Sequence, residues 1–118
     1  MKYLMVFLGG GIGSALRYAV SVVLNGHGFP FGTFAVNVLG CFLIGLFGAA
    51  AGKFGWSESV RLLLTTGLCG GFTTFSTFSA EGLAFLKDGA YGAFALYAGA
   101  SLVVGLLAVA LGWVAIGR

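Results

Sequence analysis

Residues 67–81 read GLCGGFTTFSTFSAE, and this stretch decides the fold because it interrupts what is otherwise a membrane helix. Two adjacent glycines, Gly70 and Gly71, are followed by β-branched and hydroxyl-bearing residues, which are poor material for a continuous helix. At membrane depth, freed backbone groups are tolerated only where protein, an ion or water satisfies them. The stretch therefore predicts a helix that breaks at the paired glycines and builds a polar site there.

The composition around this stretch is that of a membrane protein. Of the 118 residues, 59% are hydrophobic and only 8% are charged, and the mean hydropathy is +1.07. In a soluble domain, about a quarter of all residues are charged. Each span needs roughly 20 residues, so four spans use about 80 and leave about 38 for termini and connections. These numbers predict a single four-helix transmembrane domain over residues 1–118 and exclude a soluble catalytic core.

Glycine, proline and charged residues divide the chain into four predicted spans. The spans cover residues 3–24, 33–52, 58–86 and 90–115. The first connection contains the single proline, Pro30, between glycines. Ser57 is placed to cap the third span, and the polar residues 87–89 form the turn that closes it. Trp113 and Arg118 are expected to anchor the fourth span at the membrane interface.

Glycine accounts for 22 of the 118 residues. In lipid, small residues let helix backbones approach closely where no hydrophobic driving force exists. Most of the glycines, such as Gly9 and Gly13 with their four-residue spacing, are therefore expected to pack helices. The run Gly9-Gly10-Gly11 is denser than packing alone needs, and it predicts a close crossing with another subunit.

Uncharged polar side chains inside the spans need partners, because an unpaired polar group in hydrocarbon is costly. Thr33 and Asn37 share a face of the second span, and Tyr97 and Ser101 share a face of the fourth. Asn37 either hydrogen-bonds a neighbouring helix or lines a polar path, and Tyr97 either sits near an interface or lines the same path. The residues by themselves leave these alternatives open.

The segment after the paired glycines combines aromatic and hydroxyl side chains. Phe75 and Phe78 are spaced i, i+3 and therefore project from one face of the second half-helix. Rings in a membrane helix either contact lipid and other helices or, beside a break lined with hydroxyls, border a path. The hydroxyls of this segment belong to Thr73, Thr74, Ser76, Thr77 and Ser79.

Three ionisable residues have positions that need a reason. Arg17 and Glu81 are the charges placed well within predicted spans, where a long arginine can extend to the interface. Glu81 is expected to pair, to cap a helix or to lie at a vestibule rather than to carry protons. His27 lies in the first connection, either as a solvated loop residue or as a vestibule group.

The charge pattern excludes several classes of function. Six basic residues are scattered along the chain, whereas a nucleic-acid surface needs them clustered. The sequence offers no nucleophile with a base, no carboxylate dyad and no metal set, so an enzyme is not expected. The main alternative is a small proton-coupled exporter of cationic drugs of the small multidrug resistance type, a four-helix dual-topology protein. Such an exporter needs an acid in its first span, which here contains Arg17 and no acid.

Three stretches of the chain resemble the Fluc/CrcB family of fluoride channels. They are residues 9–18 (GGGIGSALRY), 32–42 (GTFAVNVLGCF) and 67–79 (GLCGGFTTFSTFS), in the family's order over nearly the whole length. The resemblance implies an all-α, multi-pass protein of the cell (plasma or inner) membrane that exports fluoride passively and relieves its toxicity. It also implies an antiparallel, dual-topology homodimer with two pores and a central structural sodium ion.

The resemblance also implies roles for particular residues. Asn37 matches the pore asparagine, Phe75 and Phe78 match the two phenylalanines that border the fluoride path, and Arg17 matches the first-span arginine. The implied remainder of the polar pore lining is Thr33, Thr74, Ser76, Thr77, Tyr97 and Ser101. The implied sodium ligands are the backbone carbonyls of Gly70 and Thr73.

The physical chemistry of fluoride suits such a lining. Fluoride is small and strongly hydrated, so a selective pore must replace its water shell without trapping the ion. Amide hydrogens and hydroxyls are neutral donors, and the positive edge of an aromatic ring is a weak one. Several weak contacts in series let the ion dehydrate and still leave, whereas a full positive charge would hold it too long.

Overall fold

The computed structural model describes residues 1–25 and 29–117, and its elements within these ranges are helical. The helices are α1 (Lys2–Leu24), α2 (Phe31–Phe54), α3 (Glu58–Arg61), α4 (Gly70–Phe72), α5 (Phe75–Lys87) and α6 (Tyr91–Ala115), with a π-helical segment at Leu62–Cys69 between α3 and α4. Three of them, α1, α2 and α6, are long and apolar enough to cross a membrane. His27 and Arg118 lie outside the described residues.

Helix α2 has both of its ends set by residues with restricted or unusual backbone angles. It begins directly after Pro30, whose fixed φ suits the start of a helix, and it ends at Gly55 with φ 64°. Glycine adopts this left-handed conformation without a Cβ penalty. These two residues let the helix run from Phe31 to Phe54, two residues longer at each end than the predicted 33–52.

Helices α2 and α6 form the largest helix–helix contact of the chain. Their backbones approach closely at two glycines, one on each helix. A Cβ on Gly45 would collide with the carbonyl of Val109, and a Cβ on Gly112 would collide with the carbonyl of Phe42. The contact therefore depends on glycine at both positions, as the prediction of glycine-mediated packing requires.

Helix α1 makes its close crossing with the first part of the third span. A Cβ on Gly9 would collide with the carbonyl of Leu63, and a Cβ on Gly13 would collide with that of Leu68. The expectation that this glycine run meets another subunit is therefore wrong for Gly9, which packs within the chain. Gly11 has nothing within 4 Å of its Cβ position, so for Gly11 the expectation stays a prediction.

The third span begins as predicted but breaks further along than predicted. The Ser57 side chain accepts a hydrogen bond from the Val60 N–H at 3.3 Å, which confirms it as the cap. The chain stays helical through both Gly70 and Gly71, and it becomes extended only after Phe72. Gly71 is used for packing, since a Cβ there would collide with the Gly10 carbonyl of α1. The prediction of a break is confirmed, and its placement at the paired glycines is wrong.

The predicted span 58–86 thus consists of two helical pieces that pack against different helices. The first piece, from α3 to α4, lies along α1, and the second, α5, lies against α6. The longest dimension of the described chain is 49 Å, compared with about 40–45 Å for a bilayer with its headgroups. The break lies at Thr73 and Thr74, near the middle of this run of helices.

Candidate functional site

The break consists of two consecutive residues with extended backbone. Thr73 has φ −91° and ψ 162°, and Thr74 has φ −153° and ψ 120°. The N–H of Thr74 consequently donates to Oδ1 of Asn37 at 2.8 Å instead of to a carbonyl one turn earlier. In return, Nδ2 of Asn37 donates to the Thr74 carbonyl at 3.2 Å. The side-chain amide takes the place of a backbone partner and stabilises the break.

This pairing limits what Asn37 has left to offer. A side-chain amide has two N–H donors and one carbonyl acceptor. The Thr74 backbone takes one donor and the acceptor, so one Nδ2 hydrogen remains. The amide lies at the break. It hydrogen-bonds a neighbouring segment, which is the first alternative that the sequence left open, and it keeps one donor, which the second alternative, a polar path, needs. Its assignment to a pore stays a prediction.

The carbonyls of Gly70 and Thr73 lose their helical partners at the break. The N–H that would bond the Gly70 carbonyl in a continuous helix belongs to Thr74 and points to Asn37. The N–H of Thr77 would bond the Thr73 carbonyl in a continuous helix. It donates instead to Oγ1 of Thr74 at 3.1 Å, which caps α5. Gly70 is also exposed, with nothing within 4 Å of its Cβ position.

Arg17 of α1 reaches the break from the opposite side. Its Nε donates to the carbonyl of Gly71 at 3.0 Å, and the residue is half-buried. In a continuous helix that carbonyl would accept from Phe75, the first residue of α5. Arg17 therefore replaces a helical hydrogen bond that the break removes, just as Asn37 does.

The two predicted rings of α5 have different environments. Phe75 and Phe78 lie with ring centroids 5.9 Å apart, as the i, i+3 spacing predicts. Phe75 is 78% exposed. Phe78 is half-buried and packs on Tyr97 with 5.0 Å between centroids. The chain by itself surrounds only the second ring.

The carboxylate of Glu81 binds two of the predicted pore hydroxyls. The hydroxyl of Tyr97 donates to Glu81 Oε1 at 2.8 Å, and the hydroxyl of Thr33 donates to Glu81 Oε2 at 3.0 Å. Tyr97 is 0% exposed and Thr33 is 1% exposed, so both of these residues are buried, whereas Glu81 is half-buried. Two of the predicted pore hydroxyls are therefore committed to a carboxylate of the same chain.

A largely apolar cavity of about 540 Å³ lies at the break. Its walls come from α2, the residues around the break, α5 and α6. The residues that line it are Asn37, Gly40, Cys41, Ile44, Cys69, Thr73, Thr74, Phe75, Phe78, Ala98, Ser101 and Leu102. The fold thus brings five of the predicted pore residues together here, whereas Thr33, Ser76, Thr77 and Tyr97 lie outside this lining.

Ser101 is the polar group of the cavity without a partner. Among the described residues its Oγ is the buried side-chain N or O atom that lacks a hydrogen bond. A buried hydroxyl left unpaired is costly, and such a group in a native site calls for a ligand or water that completes it. Its hydroxyl is a neutral donor that is free to bind something that enters the cavity.

Sequence reasoning missed two features of this region. Glu81 joins two helices through Thr33 and Tyr97, and no spacing along the chain reveals that three-way contact. Phe29, in the first connection, packs edge-on against Tyr97 with 5.3 Å between centroids. The aromatic residues that flank Pro30 were the available signal, since rings beside a helix start often pack back onto the bundle.

The chain matches one protein-family model over most of its length. The model is described as CrcB-like protein, Camphor Resistance (CrcB), and it matches residues 4–113. That range includes all of the site residues described above.

Curated proteins named fluoride-specific ion channel FluC are similar to this chain over nearly their whole length. The protein of Phocaeicola vulgatus is 53% identical over 112 residues, which are 92% of this chain and 93% of that protein. The protein of Bacteroides fragilis is 46% identical over 117 residues (94% and 92%). The protein of Acidobacterium capsulatum is 48% identical over 118 residues (97% and 94%).

Proposed function

This chain belongs to the CrcB family, and we propose that it is a fluoride-specific ion channel through which fluoride leaves the cell passively across the plasma membrane. The observation that carries the proposal is the cavity beside Thr74. Asn37 holds the break open there and keeps one amide hydrogen, and Ser101 keeps an unpaired hydroxyl in the same cavity. Both groups are neutral donors.

Neutral donors suit a small anion that must pass through rather than stay. The described residues that line the cavity include no lysine or arginine and no carboxylate. Fluoride would exchange water for the donors of Asn37 and Ser101 and for the ring edge of Phe78, each of which binds it weakly. Weak contacts in series permit both entry and exit, as conduction requires.

A second copy of the chain completes the channel in this proposal. Phe75 is 78% exposed at the edge of the cavity, and a ring in that position is available to border a cavity of another subunit. Four spans are also few for enclosing a path. An antiparallel pair would supply the inverted symmetry that many transporters encode within one chain. The homodimer would then contain two pores.

A sodium ion at the centre of that dimer is the proposed cofactor. The carbonyls of Gly70 and Thr73 have lost their helical partners, and Gly70 faces open space, so these oxygens fit a hard cation that prefers oxygen ligands. Within residues 1–25 and 29–117, no three His, Cys, Asp or Glu side chains are grouped to hold a metal. When bound, the ion supplies positive charge that favours anions nearby.

Arg17 complements this arrangement by occupying the freed carbonyl of Gly71, which the proposal does not give to sodium. Its bond to the Gly71 carbonyl positions the end of α4 beside the proposed ion site. We therefore assign Arg17 a structural role at the break. Its charge lies outside the cavity lining, which keeps a full positive charge away from the fluoride path.

The Glu81 cluster belongs to the continuation of the path in this proposal. Thr33 and Tyr97 direct their hydroxyls to the Glu81 carboxylate, so fluoride that reaches them competes with that carboxylate for two donors. Ser76 is exposed with its hydroxyl near that of Thr74, and Thr77 lies in the first turn of α5. These hydroxyls stay candidate pore residues.

The alternative, a proton-coupled drug exporter, finds less support. Helix α1 contains no acidic residue, and it carries Arg17 where an exporter of cations needs a carboxylate. The carboxylate that does lie inside the bundle, Glu81, is held by two hydroxyl donors rather than directed into the cavity at the break. The two functions differ in the ion that moves.

Efflux from liposomes tests the proposed function directly. Purified protein is reconstituted into liposomes loaded with potassium fluoride or potassium chloride, and anion release is followed with ion-specific electrodes after valinomycin is added. We expect rapid fluoride release and chloride release no faster than from protein-free liposomes. Equal release of the two halides, or release of neither, would refute a fluoride-specific channel.

A further inference from the structure

A second cavity lies at the other side of the Glu81 cluster. Its volume is about 270 Å³, and none of the residues that the resemblance implies for the pore line it. The lining residues are Asn25, Phe29, Pro30, Glu81, Ala84, Phe85 and Asp88. The cavity is therefore formed by the first connection and by the C-terminal half of α5.

The two cavities are separated by a single layer of side chains. Phe78 lines the first cavity and packs on Tyr97 with 5.0 Å between centroids. Tyr97 donates to Glu81, which lines the second cavity. Tyr97 is 0% exposed and lines neither cavity, so its ring lies between the linings of the two cavities.

Phe29 packs on the outer side of that layer. Its ring meets Tyr97 edge-on, with 5.3 Å between centroids and 85° between planes, and it also approaches Phe85 at 6.2 Å. Phe78 and Phe85 also contact Tyr97, with 5.0 Å and 5.9 Å between centroids, so the tyrosine ring is clamped among three phenylalanines. A clamped ring cannot turn aside unless one of its neighbours moves.

The local backbone fixes Phe29 in this position. Oδ1 of Asn25 accepts from the Gly32 N–H at 2.7 Å, which ties the end of α1 to the start of α2. The Phe31 N–H donates to the Phe29 carbonyl at 2.8 Å. A Cβ on Gly32 would lie 2.7 Å from that same Asn25 oxygen, so the tie depends on glycine. Phe29 is thus placed by its own hydrogen bond to Phe31 and by the Asn25–Gly32 bond that joins the two helix ends.

We propose that Phe29 is a positioning residue that limits passage between the two cavities by holding the Tyr97 ring in place. The second cavity is then the mouth of the path at this end. The inference rests on the proposed function, since it needs an anion that travels through the first cavity. It adds a residue outside the predicted pore and a specific step, displacement of the Tyr97 ring, that sets the rate.

Fluoride efflux from liposomes with substitutions at Phe29 tests this inference. Phe29→Ala removes one side of the clamp, and we expect initial efflux about fivefold faster than wild type. Fivefold corresponds to about 1 kcal/mol, the size of one edge-to-face aromatic pair. Phe29→Trp enlarges the clamp and should slow efflux, while Phe29→Leu keeps most of the bulk and should stay near wild type.

The matched control is Phe31→Ala. Phe31 packs against Phe29 at 4.9 Å between centroids but is 49% exposed, and among the aromatic contacts of the described residues it does not touch Tyr97. Its variant should conduct like wild type. Gel filtration of each purified variant shows whether the protein is folded, and Phe29→Trp keeps the test decisive if Phe29→Ala does not fold.

A second readout asks whether Phe29 acts through Tyr97. In a Tyr97→Leu background, where there is no ring to hold, Phe29→Ala should cause no further acceleration. Unchanged or slower efflux in folded Phe29→Ala, or wild-type efflux in Phe29→Trp, would overturn the inference while leaving the fluoride channel intact. Absence of fluoride efflux from the wild-type protein would refute the proposed function itself.

Discussion

The residues before and after the break in the third span are held in place by different kinds of contact. Before the break, the π-helical segment and α4 lie against α1 backbone to backbone, and Gly9 and Gly13 leave no room for side chains. After the break, Asn37 holds the start of α5 and Glu81 holds its middle. Glycine contacts make a rigid support and leave no side-chain donor for an anion, whereas side-chain contacts leave donors that an anion can share.

The largest expected effect on fluoride efflux comes from Asn37→Asp, which lies on the side of the break that side-chain contacts hold. An ionised carboxylate repels fluoride and cannot donate to the Thr74 carbonyl, although it can still accept from the Thr74 N–H. We expect roughly 100-fold slower fluoride efflux from liposomes, equivalent to about 2.7 kcal/mol on the barrier. Wild-type fluoride efflux in this variant would show that Asn37 is not a pore residue.

On the glycine-held side, Gly13→Ala should destabilise the protein without touching the cavity. The added methyl would collide with the Leu68 carbonyl and lie 2.8 Å from the Phe72 nitrogen, a contact that only backbone movement can relieve. Overpacking of this kind costs about 2 kcal/mol. The measurement is the fraction of folded, monodisperse protein after heating in detergent.

Gly52→Ala is the matched control for that variant. Its Cβ position has nothing within 4 Å, so the same methyl meets open space, and alanine is the better helix former by up to about 1 kcal/mol. We expect stability equal to or above wild type. Equal losses in Gly13→Ala and Gly52→Ala would mean that the α1 crossing does not depend on glycine as described.

The rings of α5 should have a smaller effect that appears in conduction alone. Phe78→Ile and Phe75→Ile each remove a ring edge, and we expect about tenfold slower fluoride efflux, equivalent to about 1.4 kcal/mol. Phe7→Ile on α1 is the control, because Phe7 is 74% exposed and Phe75 is 78% exposed. Normal flux in both α5 variants would assign the rings to packing.

The smallest expected effect concerns Arg17, which lies on the boundary between the two sides. Arg17→Gln removes the charged donor to the Gly71 carbonyl and should lower stability by about 1 kcal/mol, with efflux within a factor of about three of wild type. Thermal unfolding and liposome efflux of the same preparation measure the two quantities. A loss of conduction with unchanged stability would instead place Arg17 in the ion path.

Much of the difference between the two sides of the break could be predicted from the order of residue types along the chain. Apolar runs indicated four spans, of which α1, α2 and α6 are long and apolar enough to cross a membrane, and glycine and hydroxyl residues after position 66 indicated a broken helix. The break lies two residues after Gly71 because Gly71 is needed for contact with Gly10, which overrides its helix-breaking tendency. Extended backbone falls instead on the β-branched pair Thr73 and Thr74, which tolerate it.

The Glu81 cluster could not be predicted in the same way. Its partners lie on α2 and α6, 48 and 16 residues away along the chain. Whether a carboxylate meets a given hydroxyl depends on how far each helix is rotated about its axis. Periodicity places Thr33 and Tyr97 on polar faces, but it does not determine which faces meet.

The most direct test of the proposed uncharged fluoride path is the reversal potential in a planar bilayer with a fluoride gradient in one direction and a chloride gradient in the other. A passive fluoride channel with neutral donors predicts a current that reverses near the fluoride equilibrium potential and shifts with the fluoride gradient alone. Reversal near the chloride or the cation equilibrium potential would contradict the account.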